Sequence, residues 1–388
     1  MSFDFDSVTE RRGTMSLKYD SAPRRGKPAG ILPLWVADMD FSTADCIKAA
    51  LAQVSRFGVL GYSEPDEAFH AVLRAWFARR YGYSLQAEWL VQTPGVVSAL
   101  YTAVRALTEA GDAVLIQSPV YYPFAAAVRD TGRRLVTNEL VLSDGRYHID
   151  FDDLSAKIQR EKVKLLILCS PHNPVGRVWR RDELEGIAEI CLRHGVVVVA
   201  DEIHQDFIFP GCAHTVFAAL GAETQNITIT CTSPSKSFNL AGLQLSNIII
   251  ANKALRRAFR AEIGRGGYSQ PSLMGLVACR AAYSAEGAAW LEALLAYLGG
   301  NMALVRAWAA EWPEIRFIEP EGTYLAWIDC RGLGLSPDAL AETIEQKAGL
   351  WLDDGRIFGP GGEGFQRLNT ACPRSVLAGA LERWRGAF

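Results

Sequence analysis

The hydrophobic positions in the middle of the chain form short, continuous apolar runs that alternate with segments of helical periodicity. Runs with the length of buried strands lie at 113–117, 165–169, 196–200, 227–230 and 247–251. Apolar residues at helical spacing predict amphipathic helices over 69–81, 96–110 and 181–194. Strands that are apolar throughout are typical of a parallel sheet covered by helices on both faces. The pattern therefore predicts an α/β fold with a mostly parallel sheet flanked by helices.

A different pattern begins near residue 288. A long helical repeat runs over 288–312, and the pair Gly299-Gly300 inside it predicts a bend or a break. Beyond it we expect strands over 323–329 and 365–369, a helix over 337–347 and a final helix. Residues 1–45 are irregular, which is typical of an arm and not of a core element. We therefore divide the chain into an N-terminal arm over 1–45 that joins the small domain, a large domain over 46–287 and a small α+β domain over 288–388.

Composition narrows the class of protein without indicating a function. The chain has 388 residues, of which 49% are hydrophobic and 21% are charged, as expected of a globular protein with two domains. Its formal net charge of −3 provides no basic surplus for binding a nucleic acid. The purely apolar runs are shorter than the roughly 20 residues that span a bilayer, and the N-terminus lacks the pattern of a secretory signal. We therefore expect no nucleic-acid partner and no membrane partner.

The eight cysteines are widely spaced along the chain. No two of them form a CxxC motif, so the sequence predicts neither a metal site nor a redox dithiol. In a chain of this size, isolated cysteines are typical of reduced residues in the cytosol that pack as small hydrophobic side chains. We therefore expect a cytoplasmic protein without a bound metal.

The glycine-rich segment 359–364 matches the letters GxGxxG of a dinucleotide-binding loop. Such a loop must follow a strand and open a helix, because the N-terminus of that helix meets the pyrophosphate. Here the segment leads instead into the predicted strand over 365–369. We therefore do not expect a nicotinamide cofactor at this segment.

Three polar residues each stand just beyond a predicted buried strand, where α/β sheets place ligand-binding groups. Asn173 lies between two prolines, Asp201 follows the run 196–200, and Lys236 is flanked by serines. Each has an ordinary alternative, since Asn173 can belong to a rigid turn, Asp201 can cap a helix and Lys236 can be a loop lysine. Together they match the needs of pyridoxal phosphate (PLP), which takes a lysine for a Schiff base, a carboxylate for the ring nitrogen, a donor near the phenolic oxygen and a phosphate cradle.

With these residues the chain resembles the fold-type-I PLP-dependent enzymes of the aspartate aminotransferase superfamily over essentially its whole length. It most closely resembles the MalY/PatB branch of cystathionine β-lyase-like carbon–sulfur lyases. The resemblance is carried by the segments 5–14, 33–41, 171–179, 201–204, 233–242, 367–369 and 373–374. The sequence Trp-Val-Ala-Asp-Met-Asp at 35–40 is specific for the branch. The resemblance implies the PLP-dependent transferase fold, with the cofactor bound by the large domain.

The resemblance also implies a set of cofactor-binding residues. Lys236 would hold PLP covalently and carry the substrate Cα proton, Asp201 would pair with the ring nitrogen, and Asn173 would bind the phenolic oxygen. Tyr121 would stack on the ring. The phosphate would be bound by the helix start at Gly95, Val96 and Val97, by the hydroxyls of Ser233 and Ser235, and by Tyr62 from a neighbouring subunit.

For the substrate, the resemblance implies that Arg367 clamps the α-carboxylate, with Asn173 and Trp35 also in contact. Arg374 stays open between a substrate contact and a structural role. The catalytic residues in this scheme are Lys236, Tyr62 and Tyr121.

Two cofactor positions depart from the aminotransferase pattern. His204 stands where aminotransferases have a tyrosine near the phenolic oxygen, and Gln244 stands where they have an arginine that binds the phosphate. Both departures agree with the lyase branch.

The implied reaction is β-elimination from an amino acid that carries sulfur at Cβ, giving a thiol, pyruvate and ammonia. Cystathionine, cysteine and S-substituted cysteines are the implied substrates. An aminotransferase acting on a small or specialised amino acid is the main alternative, because the two reactions share the motif residues. A regulatory protein-binding role and a nicotinamide-dependent oxidoreductase are further alternatives. Since Tyr62 acts across an interface in this scheme, the resemblance also implies a homodimer.

Overall fold

The computed structural model describes residues 3–388. The helices are α1 (Leu17–Asp20), α2 (Asp45–Phe57), α3 (Glu67–Tyr81), α4 (Val96–Leu107), α5 (Pro123–Arg129), α6 (Phe151–Glu161), α7 (Arg181–His194), α8 (Ala222–Asn226), α9 (Pro234–Ser237), α10 (Lys253–Arg265), α11 (Leu273–Ala282), α12 (Ala285–Ala310), α13 (Pro337–Glu342) and α14 (Arg374–Gly386). The strands are β1 (Leu32–Pro33), β2 (Leu90–Thr93), β3 (Ala113–Ser118), β4 (Arg134–Glu139), β5 (Val141–Ser143), β6 (Arg146–His148), β7 (Leu165–Cys169), β8 (Val197–Asp201), β9 (Thr228–Thr232), β10 (Ser246–Ile249), β11 (Arg316–Ile318), β12 (Leu325–Asp329), β13 (Leu350–Trp351), β14 (Asp353–Asp354) and β15 (Phe365–Asn369).

A seven-stranded sheet has the order β2-β10-β9-β8-β7-β3-β4. The neighbours from β9 to β4 pair in parallel, whereas β10 is antiparallel to both β9 and β2. The predicted mostly parallel sheet is confirmed, and each predicted apolar strand lies within two residues of its observed bounds. The edge strands β2 and β4 were not predicted. In β4 buried and exposed residues alternate, so the strand contains no continuous apolar run.

Successive residues of the central strands face two separate hydrophobic clusters. In β7, Leu166 packs into the cluster that contains Ile187 of α7, whereas Ile167 packs into the cluster that contains Leu100 of α4. Helices therefore cover both faces of the sheet. This double burial is the reason that the central strands are apolar at every position.

The C-terminal part of the chain contains a four-stranded antiparallel sheet in the order β11-β12-β15-β14. The short strand β1 pairs in parallel with β13, which joins the N-terminal segment to this part of the chain. The helix predicted over 337–347 is an α-helix only in α13 and continues as a π-helical turn over Thr343–Lys347. The segment 359–364 leads into β15 and not into a helix, as expected for a sequence that is not a dinucleotide loop.

The helix α12 runs without interruption through Gly299 and Gly300, so the predicted break is wrong. A Cβ atom at Gly300 would lie 2.5 Å from Nη2 of Arg374. The glycine therefore leaves room for close packing against that guanidinium.

The short apolar runs did not predict that α12 would be long and apolar enough to cross a membrane by length and composition alone. Its few charged residues interrupt the run in the sequence without lowering its mean hydropathy below that of a membrane span. A helix in the core of a soluble protein meets the same criterion. In this chain one side of α12, with Leu291, Leu294 and Leu298, is buried in the largest hydrophobic cluster.

The N-terminal segment packs into the core, which corrects the expectation of an arm outside it. Phe5 and Met39 belong to the same cluster as α3 and α12, and Leu34 belongs to the cluster of the C-terminal sheet. Lys18 is completely buried and forms a 2.8 Å ion pair with Asp40. The sequence did not reveal this packing because the apolar residues of an irregular segment follow no period.

Six of the eight cysteines are buried, as expected of small hydrophobic side chains, whereas Cys46 is partly buried and Cys212 is exposed. Burial raises the pKa of the Cys191 thiol to about 12. A buried thiol of this kind is not reactive near neutral pH.

Candidate active site

A cavity of about 260 Å³ lies beyond the carboxyl ends of β7 and β8, the place at which open α/β sheets bind ligands. All but one of the residues predicted for the site line this cavity. They are Trp35, Gly95, Val96, Val97, Tyr121, Asn173, Asp201, His204, Ser233, Ser235, Lys236 and Arg367. The exception is Tyr62, which is 95% exposed and lies outside the cavity lining.

Asp201 is a buried carboxylate at the end of β8. Its Oδ1 accepts a 3.1 Å hydrogen bond from the backbone N–H of Ile203, and within residues 3–388 its Oδ2 has no hydrogen bond or ion pair. Burial raises the pKa of Asp201 to about 7, and the charge of Lys236 opposes this rise only in part. The cavity therefore contains an acid whose second oxygen lacks a cation and that would accept a proton or a cationic group.

Lys236 lies in the one-turn helix α9, directly after β9. Ser233 caps this turn, because its Oγ accepts a hydrogen bond from the backbone N–H of Ser235. Nζ of Lys236 donates a 2.6 Å hydrogen bond to the carbonyl of Ala37. Burial lowers the pKa of Lys236 to about 8, even though the nearby carboxylate of Asp38 favours the charged form. A substantial fraction of this amine is therefore neutral near physiological pH, as a nucleophile or a base requires.

Arg367 on β15 is buried at another wall of the cavity. Nη1 donates to Oδ1 of Asn173 at 2.8 Å, and Nη2 donates to the carbonyl of Trp35 at 2.9 Å and to Oδ2 of Asp353. The bond from Arg367 fixes the amide of Asn173 with Oδ1 towards the arginine. Nδ2 of Asn173 makes no hydrogen bond within the described chain and is left as a donor at the cavity wall.

The helix α4 begins at the cavity wall. Gly95 precedes its first residue with a φ of 108°, a conformation that favours glycine. The free backbone N–H groups of a helix start form an anion site when the helix is long enough, and α4 has 12 residues. Ser233 and Ser235 line the same cavity as this helix start. The Ser233 hydroxyl already donates to the carbonyl of Leu245 at 2.7 Å, so its only proton is committed in this arrangement.

Tyr121 lines the cavity, and its backbone N–H donates a 3.0 Å hydrogen bond to the carbonyl of Asn173. This bond connects the two loops that carry the predicted ring-stacking and ring-binding side chains. His204 is buried in the cavity wall, and its Nδ1 has no partner within the described residues. Burial lowers the pKa of His204 to about 3, so the ring is neutral at physiological pH.

The contacts of Gln244 and Arg374 indicate what these two side chains do. Gln244 lines the cavity mouth, where its Nε2 donates to the carbonyl of Ala241 at 3.1 Å. The Arg374 guanidinium stacks on Tyr297 with 4.6 Å to the ring centroid and donates to Oδ1 of Asn301. Arg374 lies outside the cavity lining and anchors α14 to α12, which is a structural role.

Three cavity features were missed by the sequence reasoning. Asp353 and Tyr122 line the cavity, and the carbonyl of Ala37 receives the Lys236 hydrogen bond. Tyr122 adjoins the predicted Tyr121 and could have been found by that proximity. Asp353 had no sequence signal, because its place opposite Arg367 results from the pairing of β14 with β15.

The chain is similar to known proteins over nearly its whole length. The profile of the family "Aminotransferase class I and II" matches residues 29–383. "Cystathionine beta-lyase PatB" of Bacillus subtilis (strain 168) is 42% identical over 99% of this chain and 100% of its own length. "Protein MalY" of Escherichia coli (strain K12) is 36% identical over 97% of this chain and 96% of its own.

A solved structure gives the same result for the fold. The crystal structure of cystalysin from Treponema denticola, which contains a pyridoxal 5'-phosphate cofactor, superposes with a TM-score of 0.96 at 39% identity. The match covers 100% of this chain and 99% of that chain. The chain therefore belongs to the aminotransferase class I and II family of fold-type-I PLP-dependent enzymes, in its branch of cystathionine β-lyase-like carbon–sulfur lyases.

Proposed function

We propose that this protein is a PLP-dependent carbon–sulfur β-lyase. The overall reaction takes an S-substituted cysteine and one water molecule and gives a thiol, pyruvate and ammonium. The observation that carries the proposal is the convergence of Lys236, Asp201 and Arg367 on one cavity in a chain that is 42% identical to a cystathionine β-lyase. An amine, an anionic partner for a ring nitrogen and a carboxylate clamp are the groups that PLP chemistry on an amino acid needs.

The residues of the cavity fit PLP. Among residues 3–388 Oδ2 of Asp201 has no partner, and burial raises the pKa of that carboxyl to about 7, so a cationic ring nitrogen would supply the missing charge. The positive φ of Gly95 places the start of α4 at the cavity, where its N–H groups suit a phosphate. Nδ2 of Asn173, which has no acceptor in the described part of the chain, is a donor for a phenolic oxygen.

In this proposal Tyr121 lies against the ring, and the phosphate is bound by the amides of residues 95–97 and by Ser235. Ser233 contributes by capping the turn that presents Lys236, since its proton is committed to Leu245. His204 and Gln244 stand near the ring and the cavity mouth as neutral groups. They do not neutralise phosphate charge, so this task falls on the helix start and the hydroxyl of Ser235.

The chain's own residues divide the chemical work. When bound, PLP supplies an electron-withdrawing ring that stabilises negative charge at the substrate Cα. Arg367 binds the substrate α-carboxylate, and this contact orients the Cα–H bond towards Lys236. Nζ of Lys236, which is partly neutral because burial lowers its pKa to about 8, takes the Cα proton and later returns a proton to the leaving sulfur. The side chain of Trp35, stacked on Trp351 at 4.4 Å, forms an aromatic wall beside the substrate.

We further propose a homodimer that acts in the cytoplasm. Tyr62 is 95% exposed in the single chain, which suits a side chain that reaches the phosphate of a second subunit. We keep the division into an N-terminal arm over 1–45, a large PLP-binding domain over 46–287 and a small domain over 288–388. The pairing of β1 with β13 supports the joining of the arm to the small domain.

The reaction is tested with purified protein, PLP and cystathionine in the absence of any keto acid. A lyase releases pyruvate and a free thiol under these conditions. A strict requirement for a keto acid would show an aminotransferase and would overturn the proposal. Lys236→Ala should abolish the reaction, and Lys253→Ala, which removes an exposed lysine at the start of α10, should leave it unchanged. Screening cystathionine, cysteine, cystine and S-substituted cysteines then identifies the preferred substrate.

A further inference from the structure

Arg367 already uses most of its hydrogen-bond donors on groups of the protein. Nη2 donates to two acceptors, the carbonyl of Trp35 at 2.9 Å and Oδ2 of Asp353. Nη1 donates to Oδ1 of Asn173 at 2.8 Å. Nε is buried and has no partner within residues 3–388. Because a guanidinium has five N–H groups, two of them are left, one on Nη1 and one on Nε.

These two remaining N–H groups cannot bind a carboxylate in a bidentate manner. A carboxylate that approaches end-on uses one N–H of each Nη atom, and one that approaches side-on uses Nε and Nη2. Both modes need an N–H of Nη2. Both N–H groups of Nη2 are occupied in Arg367, so a bidentate ligand must displace the Trp35 carbonyl or the Asp353 carboxylate.

The Trp35 carbonyl is held by the packing of its residue. The indole of Trp35 stacks on Trp351 with 4.4 Å between ring centroids and an interplanar angle of 11°. Its Nε1 donates to the carbonyl of Lys18, and the preceding residue, Leu34, donates its backbone N–H to the carbonyl of Trp351 at 2.8 Å. The peptide therefore cannot turn away from Arg367 without breaking several contacts.

The Asp353 carboxylate makes one polar side-chain contact among residues 3–388, the one with Arg367. The backbone of Asp353 is fixed opposite Arg367 by the pairing of β14 with β15, but the carboxylate can rotate about χ1 towards the cavity that it lines. Its salt bridge to Arg367 is the ion pair that holds it in place. Of the two acceptors on Nη2, Asp353 is the one that a ligand can replace.

We propose that Asp353 is an internal competitor of the substrate, which binds Arg367 by displacing the Asp353 carboxylate. The inference rests on the proposed function in one respect, namely that Arg367 receives the substrate α-carboxylate. Asp353 then sets the affinity for amino acids and keeps the buried guanidinium paired when no substrate is bound. A ligand without a carboxylate does not compete for Arg367, so its affinity should not depend on Asp353.

The test measures ligand binding to the PLP-loaded enzyme by the change in its visible absorbance. α-Methylalanine is the probe, because it has no Cα–H bond and cannot react further, and isopropylamine is the matched amine that lacks the carboxylate. In Asp353→Asn the amide keeps an acceptor and loses the charge. We expect α-methylalanine to bind on the order of tenfold more tightly to this variant than to the wild type, and isopropylamine to bind equally to both.

The control is Asp354→Asn, which removes the neighbouring carboxylate that pairs with Arg356 and does not line the cavity. It should leave both affinities unchanged. Weaker or unchanged binding of α-methylalanine to Asp353→Asn would overturn the proposal, since Asp353 would then orient Arg367 instead of competing for it. Asp353→Ser serves as a second uncharged variant, and failure of both to retain PLP would make Asp353 a structural residue and would equally overturn it.

The experiment separates this proposal from the proposed function. Binding of α-methylalanine to the wild type requires only an amino-acid site on a PLP enzyme and no elimination. If the wild type fails to bind the probe, the assignment of the site itself is wrong. If the wild type binds the probe and the Asp353 variants bind it no more tightly, the assignment of the amino-acid site is supported and the proposed competition by Asp353 is wrong.

Discussion

Asp201→Asn should stabilise the cofactor-free protein while it weakens the binding of PLP. Burial raises the pKa of this carboxyl from its ordinary value of 3.8 to about 7. The ionised carboxylate is therefore less favourable in the folded protein than in the unfolded chain, and the difference corresponds to about 4 kcal/mol. The favourable effect of the Lys236 charge is already contained in the raised pKa. An amide of the same shape removes the cost of burying a charge.

Because the pKa of Asp201 is raised on folding, the stability difference between the wild type and Asp201→Asn depends on pH. Below pH 3.8 Asp201 is protonated in both the folded and the unfolded states, so the wild type and the variant should be similarly stable. Between 3.8 and about 7 the unfolded chain ionises before the folded protein does, so the wild type loses stability relative to the variant. Above about 7 the full difference of about 4 kcal/mol should be present.

Urea unfolding of the cofactor-free proteins at a series of pH values measures this difference. Asp152→Asn, at an exposed position in the first turn of α6, is the matched control and should show no such trend. In the presence of PLP the order should reverse, because a neutral amide cannot balance a cationic ring nitrogen; dialysis followed by absorbance should show cofactor loss from the variant. A variant that is less stable than the wild type at pH 8 without PLP would refute the reasoning.

Three further predictions concern other parts of the chain. Uptake of PLP by the cofactor-free protein needs the neutral Lys236 amine. The uptake rate, followed by absorbance, should therefore rise with pH, with the midpoint of the rise near 8 and a plateau above it. A midpoint near 10.5 would contradict the argument that burial lowers the pKa of Lys236. Lys18→Met should leave Asp40 with less compensation in the interior and lower the free energy of unfolding by about 3 kcal/mol in urea titrations; no loss would show that the pair is dispensable. In Gly322→Ala the new Cβ would lie 2.5 Å from the carbonyl of Phe207, which should lower the free energy of unfolding by about 3 kcal/mol. Gly379→Ala, on the open side of α14, should raise the free energy of unfolding by about 1 kcal/mol in the same assay.

Much of the candidate site could be predicted because the chemistry of the site is tied to the ends of strands. The run 165–169 and the run 196–200 are apolar for a local reason, namely burial on both faces, so their ends could be placed within two residues. Asp201 follows the second run directly, and Asn173 lies four residues beyond the end of the first. Strands that run in parallel finish at the same edge, so residues far apart in the chain were expected to meet, and they line the same cavity.

Other features had no local signal. The sequence Gly299-Gly300 predicts a break, but α12 is continuous, and Arg374, a side chain distant in sequence, uses the space that the missing Cβ of Gly300 leaves. Residues 1–45 were expected to form an arm, yet Lys18 is completely buried, since an irregular segment can be packed wherever its individual side chains fit. Periodicity describes only segments that repeat.

The sequence by itself determined the α/β class, the positions at which the central strands end and the polar residues that follow them. Each of these depends on the burial of neighbouring positions along one segment. The tertiary structure alone decided which partners those residues have. Asp353 meets Arg367 because β14 pairs with β15, and Lys236 meets the carbonyl of Ala37 because the N-terminal segment packs beside the cavity. Hydrogen bonds and pKa values depend on distances between segments, and those distances exist only once the chain has folded.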